Sequence, residues 1–273
     1  MGTPLQWLLW VIVLDLALIL CLLMWRLVLR TQRHRKKAFI QQWRSVLMAY
    51  AMGQAVIPLP VLASRDLGLF FMLWNDTQQQ LVGSASPRLN QLMQELDLVP
   101  EVLRRLRQGN LRERMVACQT VGHLETLTEA WPILVQLVFE GHARLAFFSL
   151  QALIQMSPEA ALPVLLDVLS KGGAAPARIL GLFRRYPSAA LVEPLLGYLQ
   201  EALYAHDLKR SLQIIALLEV LPFPSILPTM RQILVEATEP DLIVSCLRVM
   251  ADLHDPWCLG LSLPYLNHPD WRV

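Results

Sequence analysis

Two kinds of hydrophobic pattern divide the chain. From Leu5 to Leu29 apolar residues follow one another almost without interruption, and Asp15 is the only charge in the run before Arg26. About 20 apolar residues rising 1.5 Å each cross a hydrocarbon core of about 30 Å, so 5–29 predicts a transmembrane helix behind a short tail over 1–4. Trp7 and Trp10 at one end and Trp25 at the other suit the two headgroup boundaries. The run lacks the basic lead-in and the small-residue cleavage site of a signal peptide, which predicts an uncleaved anchor.

Beyond the run the apolar residues recur at helical spacing. Residues 38–54 place Phe39, Trp43, Val46, Leu47 and Tyr50 on one stripe, and Ile57 to Pro60 then breaks the helix, because proline lacks an amide proton and biases its predecessor toward extended backbone. Helical patterns return over 61–81 and 87–96, and we read 38–97 as an irregular helical capping region.

From about residue 98 the chain repeats itself. Segments at 110–124, 141–154, 174–186, 206–218 and 239–253 each open a helix, and Arg114, Arg144, Arg178, Arg210 and Val244 stand in register at steps of 30, 34, 32 and 34 residues. Between them lie second apolar helices over 131–139, 160–169, 191–203, 226–235 and 257–266. One such hairpin cannot bury its own apolar face and must stack on its neighbours. The predicted class is therefore all-α, a single N-terminal transmembrane helix followed by an α-solenoid over 98–273. The last segment, 267–273, opens a further repeat helix without its body, so the natural protein is expected to continue past Val273.

The residues that open these helices carry a family resemblance. Asn110 with Arg114 and Ala117, Arg144 with Ala152, Arg178, and Asp207 with Arg210 resemble the HEAT repeat, specifically its short bacterial form, over about 165 of the 273 residues. Val244 departs from that pattern where arginine is expected. The resemblance implies HEAT-like helical hairpins that receive segments of other proteins. FFMLWND (70–76) with Gly83, and VGHLETLTEAW (121–131), also resemble membrane-anchored bacterial HEAT proteins associated with polysaccharide-export or glycosyltransferase gene neighbourhoods, which implies, as an alternative, an accessory subunit of such a complex.

Charge gives the anchor a direction. Arg26, Arg30, Arg33, Arg35, Lys36 and Lys37 crowd the C-terminal end of the run and the juxtamembrane segment 30–37, whereas no Lys or Arg precedes the run. That asymmetry predicts a single-pass protein of the bacterial inner membrane, N-terminus outside and solenoid in the cytoplasm, with these cations on anionic lipid headgroups. Six of the 24 Lys and Arg and one of the 22 Asp and Glu lie before residue 38, so the remainder carries a formal charge of about −3. Asp15 in mid-span either pairs with a polar group on a partner's transmembrane helix or stays protonated. Arg104, Arg105, Arg107, Arg112 and Arg114 form the one basic concentration in the solenoid, a candidate patch for an acidic partner. Glu101 and Glu113 interleave with them and no stacking aromatics accompany them, so a solvated helical face is the competing reading and nucleic acid is not expected.

Composition adds little chemistry. With 55% apolar and 17% charged residues the chain is greasier than an ordinary soluble domain, and part of that excess is expected to face lipid. It holds no phosphate-binding loop, dinucleotide fingerprint, zinc-protease helix or nucleophile elbow. Cys118 and Cys246 fall on apolar helical faces as small hydrophobes, and His123, His142, His206, His254 and His268 recur at helix ends as hydrogen-bonding caps. No enzymatic activity, cofactor, metal or small-molecule substrate is expected. The expectation is a membrane-tethered scaffold for other proteins, with exposed polar residues of the second helices such as Gln136, Asp167 and Arg231 as contacts. A HEAT-type nucleic-acid-binding protein or enzyme is the reading from another class.

Overall fold

The computed structural model describes residues 4–53, 59–81, 85–124, 128–171, 176–266, 268 and 270, and for 4–17, 85 and 176 the backbone alone. Trp7, Trp10 and Asp15, in side chain, and all of the incomplete repeat over 267–273 except His268 and Asp270 therefore fall outside the described residues. All regular structure among the described residues is helical. The chain divides into two compact units, residues 1–97 and 98–273.

The first unit is built on α1 (Pro4–Ala51), 48 residues without a break. No glycine or proline lies between Pro4 and Gly53, so nothing interrupts the backbone ladder, and the apolar run, the basic segment and the stripe from Phe39 onward form one continuous helix. Its C-terminal part packs on α2 (Leu67–Gln80) and α3 (Ala85–Glu95). The core there is aromatic. Trp43, Phe70, Phe71 and Trp74 are buried, the Trp43 and Phe70 rings meet edge-on at 4.9 Å, and Trp74 Nε1 donates to the Leu89 carbonyl at 3.2 Å. Arg88 closes the C-terminal end of α1 by donating to the Ala51 carbonyl at 3.2 Å. Among the described residues no helix carries a stretch long and apolar enough to cross a membrane.

The second unit is a series of helical hairpins. Leading it is α4 (Val99–Gln108), followed by α5 (Leu111–His123), α6 (Trp131–Phe139), α7 (Ala143–Met156), α8 (Pro158–Ser170), α9 (Pro176–Arg185) and α10 (Val192–Tyr204). Then come α11 (Leu208–Glu219), α12 (Leu227–Glu236), α13 (Pro240–Asp252) and the short α14 (Cys258–Ser262). The odd-numbered helices α5 to α13 begin at the repeating segments and pack in succession, α5 on α7, α7 on α9, α9 on α11 and α11 on α13, and α5, α7, α11 and α13 also pack against an even-numbered neighbour. The final helix departs from the expected 257–266: it ends at Ser262 and gives way to a 3-10 turn over Leu263–Tyr265, where Pro264 supplies no amide proton.

Local chemistry explains where the helices start. Asn110 forms a capping box with Glu113, each side chain bonding the other's backbone amide at 3.0–3.1 Å, and Asp207 Oδ1 accepts from the Arg210 amide at 3.0 Å. Three even-numbered helices share a different opening. A 3-10 turn precedes α6, α10 and α12 at Thr128–Ala130, Ala189–Leu191 and Pro224–Ile226, with proline in the first helical turn at Pro132, Pro194 and Pro228. Close packing of α5 on α7 depends on Gly122, since a Cβ there would lie 3.0 Å from the Ala152 Cα and 2.3 Å from Gln155 Oε1. Cys118, buried in the same contact, sits 3.4 Å from Ser149 Oγ, and burial pushes its thiol up to about 12, as it does for Cys246.

Candidate interaction surfaces

On α1 every residue from Leu18 to Ala38 is exposed. The large apolar side chains between Leu18 and Leu29 keep 36–65% of their surface open, on all sides of the helix. Arg26, Arg30, Arg33, Lys36 and Lys37 stand exposed along the same helix and continuation. Arg35 is different: its Nη2 bonds both carboxylate oxygens of Asp66 at 2.5 and 2.7 Å, which ties α1 to the turn before α2. Asp15 lies outside the described side chains.

The arginine concentration is divided by the fold. Glu101 accepts from Arg104 and Arg105 together, at 2.6–2.7 Å, and the two guanidinium groups pull its carboxyl down to about 2 against the opposing effect of burial. Arg105 is buried in that arrangement. Arg114 leaves α5 to bond Glu140 at the end of α6 and donates from Nε to the Leu106 carbonyl at 3.3 Å. Of the five, Arg104, Arg107 and Arg112 stay exposed, and Arg104 already holds a carboxylate. The i, i+3 and i, i+4 spacing of Glu101 to Arg104 and Arg105 is visible in the sequence; the Arg114–Glu140 pair, 26 residues apart, is not.

No family model matches the chain, and no curated protein or solved structure resembles it significantly. The side chains themselves must therefore carry any functional reading.

The three polar residues singled out on second helices behave differently. Gln136 is exposed, whereas Asp167 holds Lys171 at 2.7 Å. Arg231 is structural: Nε reaches Asp255 Oδ2 at 2.8 Å, its guanidinium lies 5.7 Å from the Trp257 ring centre, and it holds the covered Asp255 carboxyl below the usual range. The histidines also divide. His206 and His254 sit in the left-handed region at φ 54° and 55° and act through their backbones, closing α10 and α13 with paired reverse bonds. In each case the following aspartate amide reaches back five residues, Asp207 to Ala202 and Asp255 to Met250, both at 2.9 Å. The His-Asp dipeptide that marks both ends was present in the sequence at 206–207 and 254–255. His142 makes no side-chain cap bond, and burial pushes His123 down to about 4, aided by the charge of Arg185.

A group of exposed apolar residues that the sequence pattern did not single out lies in and around α14. Trp257, Leu259 and Leu266 keep 64–76% of their surface exposed within ten residues of chain, with Leu263 between them at 58%. Exposed apolar side chains mark contact sites where they gather into one patch.

Proposed function

We propose that the protein is a membrane-tethered interaction scaffold. A helix over 5–29 crosses the bacterial inner membrane with the N-terminus outside, and the hairpins of 98–273, stacked as a HEAT-like α-solenoid, present a binding surface for other proteins in the cytoplasm. The observation that carries this reading is the 18–29 stretch of α1, apolar on every side but for Arg26 and covered by nothing among the described residues. A helix that is hydrophobic all round is stable only inside a large core or inside lipid. Side chains are described for the second half of the 5–29 run, and its first half extends the same composition toward the N-terminus. At 1.5 Å per residue, 25 residues reach roughly 37 Å, enough for a hydrocarbon core of about 30 Å.

The exposed Arg26, Arg30, Arg33, Lys36 and Lys37 support the direction of insertion, because cytoplasmic flanks concentrate Lys and Arg. The exposed apolar residues in and around α14 support protein binding. The nucleic-acid reading has less to draw on, since Arg105 and Arg114 are committed to Glu101 and Glu140 inside the fold. A role as accessory subunit of a glycosyltransferase or polysaccharide-export complex is a special case of the scaffold.

Alkaline carbonate extraction of cell membranes, followed by cross-linking in intact cells, tests the proposal. The protein is expected to stay in the pellet and to yield the same membrane-associated partners repeatedly, whose identity decides the accessory-subunit case. Release into the alkaline supernatant overturns the anchor, and cross-links to nucleic acid in place of protein overturn the scaffold.

A further inference from the structure

Protein interiors leave few voids larger than a water molecule, and an apolar void stays dry and accepts apolar guests. The odd-numbered helices obey the first rule unevenly. Where α5 meets α7, Gly122 lets the backbones close on one another. Around α9 the packing opens to the surface, and Leu169 at the end of α8, Leu180 on α9, and Leu208, Leu212 and Ala216 on α11, most of them half-buried, line a solvent-open apolar cleft of about 560 Å³. That volume falls within the roughly 300–1,000 Å³ typical of small-molecule sites.

The polar lining is sparse and unequal. Gln213 is occupied, its Nε2 donating to the Leu169 carbonyl at 3.4 Å across the cleft wall. Lys209 is exposed and has no acidic partner among the described residues. The nearby Asp207 carboxylate is engaged as the cap of α11, accepting from the Arg210 amide. A polar guest would find almost no partners in such a cleft, while an apolar tail would fill it and leave an anionic head beside one unneutralised ammonium group.

We propose that this cleft binds a single-chain amphiphile with an anionic head, of the fatty-acyl carboxylate class, its tail among the α9 and α11 leucines and its head on Lys209. The site stands on its own residues and does not rest on the membrane reading.

The test is photolabelling of the full chain in intact cells with a diazirine-bearing dodecanoate, mapped by mass spectrometry. Saturable labelling is expected on the peptides that carry Leu180 and Leu208–Leu217, displaced by excess dodecanoate and poorly by dodecanol. Lys209→Glu is expected to weaken labelling about tenfold, the size of one charge-assisted contact. Leu212→Trp, which fills the cleft, is expected to abolish it; Ala216→Leu, a smaller filling, serves the same purpose should the tryptophan variant fail to fold. Labelling that is unsaturable or confined to α1 overturns the site. Equal displacement by dodecanol, or an unchanged Lys209→Glu, overturns the anionic head.

Discussion

Residues 18–29 and 43–51 belong to one helix and are both rich in apolar side chains, yet only the second stretch is covered. In the second, polar residues such as Arg44 and Ser45 alternate with Trp43, Val46, Leu47, Ala49 and Ala51, and the apolar stripe lies buried against α2 and α3. In the first, Arg26 is the single charge and the apolar residues occupy every side, so no one protein surface could cover them. A stripe specifies a protein partner, whereas a full circumference specifies a change of solvent.

That contrast can be broken most directly at Trp43. Trp43→Ala is expected to cost about 3–5 kcal/mol of stability to chemical denaturation, because it empties a fully buried aromatic site beside Phe70. Leu22→Ala, a truncation in the exposed stretch, is expected to change that stability by less than about 0.5 kcal/mol. Equal losses would mean that the two stretches share one kind of environment.

The flanking charge sharpens the comparison next. Reversing Arg30, Arg33, Lys36 and Lys37 to glutamate is expected to turn part of the population around, so that residues 98–273 become protease-protected in inverted membrane vesicles. Wild-type orientation in that variant would detach the basic segment from the direction of insertion.

A pH-dependent effect concerns the covered side of the comparison, in the second unit. His123 is held near 4 against 6.5 for a free imidazole, so between those values the unfolded chain takes up a proton that the folded one refuses. Stability is expected to fall as pH drops from about 6.5 to about 4, and His123→Gln is expected to flatten that slope. Glu101 acts in a lower window, its contribution being complete above its ordinary 4.5 and lost as pH falls toward about 2. An unchanged slope in His123→Gln would place the burial of that ring in doubt.

Much of this architecture could be read from spacing. Helix boundaries in the second unit follow caps and prolines, and α6 runs over Trp131–Phe139 as the apolar pattern marks it. The unbroken α1 was equally open to reading, since 48 consecutive positions lack any residue that would stop a helix. The eye divides it at Arg30 because charge changes there, but charge alone does not end a helix. The arginine patch was readable in part: Glu101 and its two arginines lie on one helical face, while the Arg114–Glu140 and Arg231–Asp255 pairs, 26 and 24 residues apart, arise only when hairpins close. The cleft beside α9 was not readable at all, because it depends on how far apart two helices settle and not on which residues they carry.

Cys21 offers the sharpest probe of the apolar stretch, since it lies within 18–29 and the remaining thiols can be silenced. Cys118 and Cys246 are buried with thiols pushed up to about 12, and Cys258→Ser removes the half-exposed one. In that variant, with labelling read on the Cys21 peptide by mass spectrometry, a membrane-impermeant maleimide is expected to leave Cys21 unlabelled from either side of native membrane vesicles and to label it fully once the protein is dissolved in denaturing detergent. Full labelling of Cys21 in intact vesicles would contradict the lipid-covered helix on which the proposed function stands.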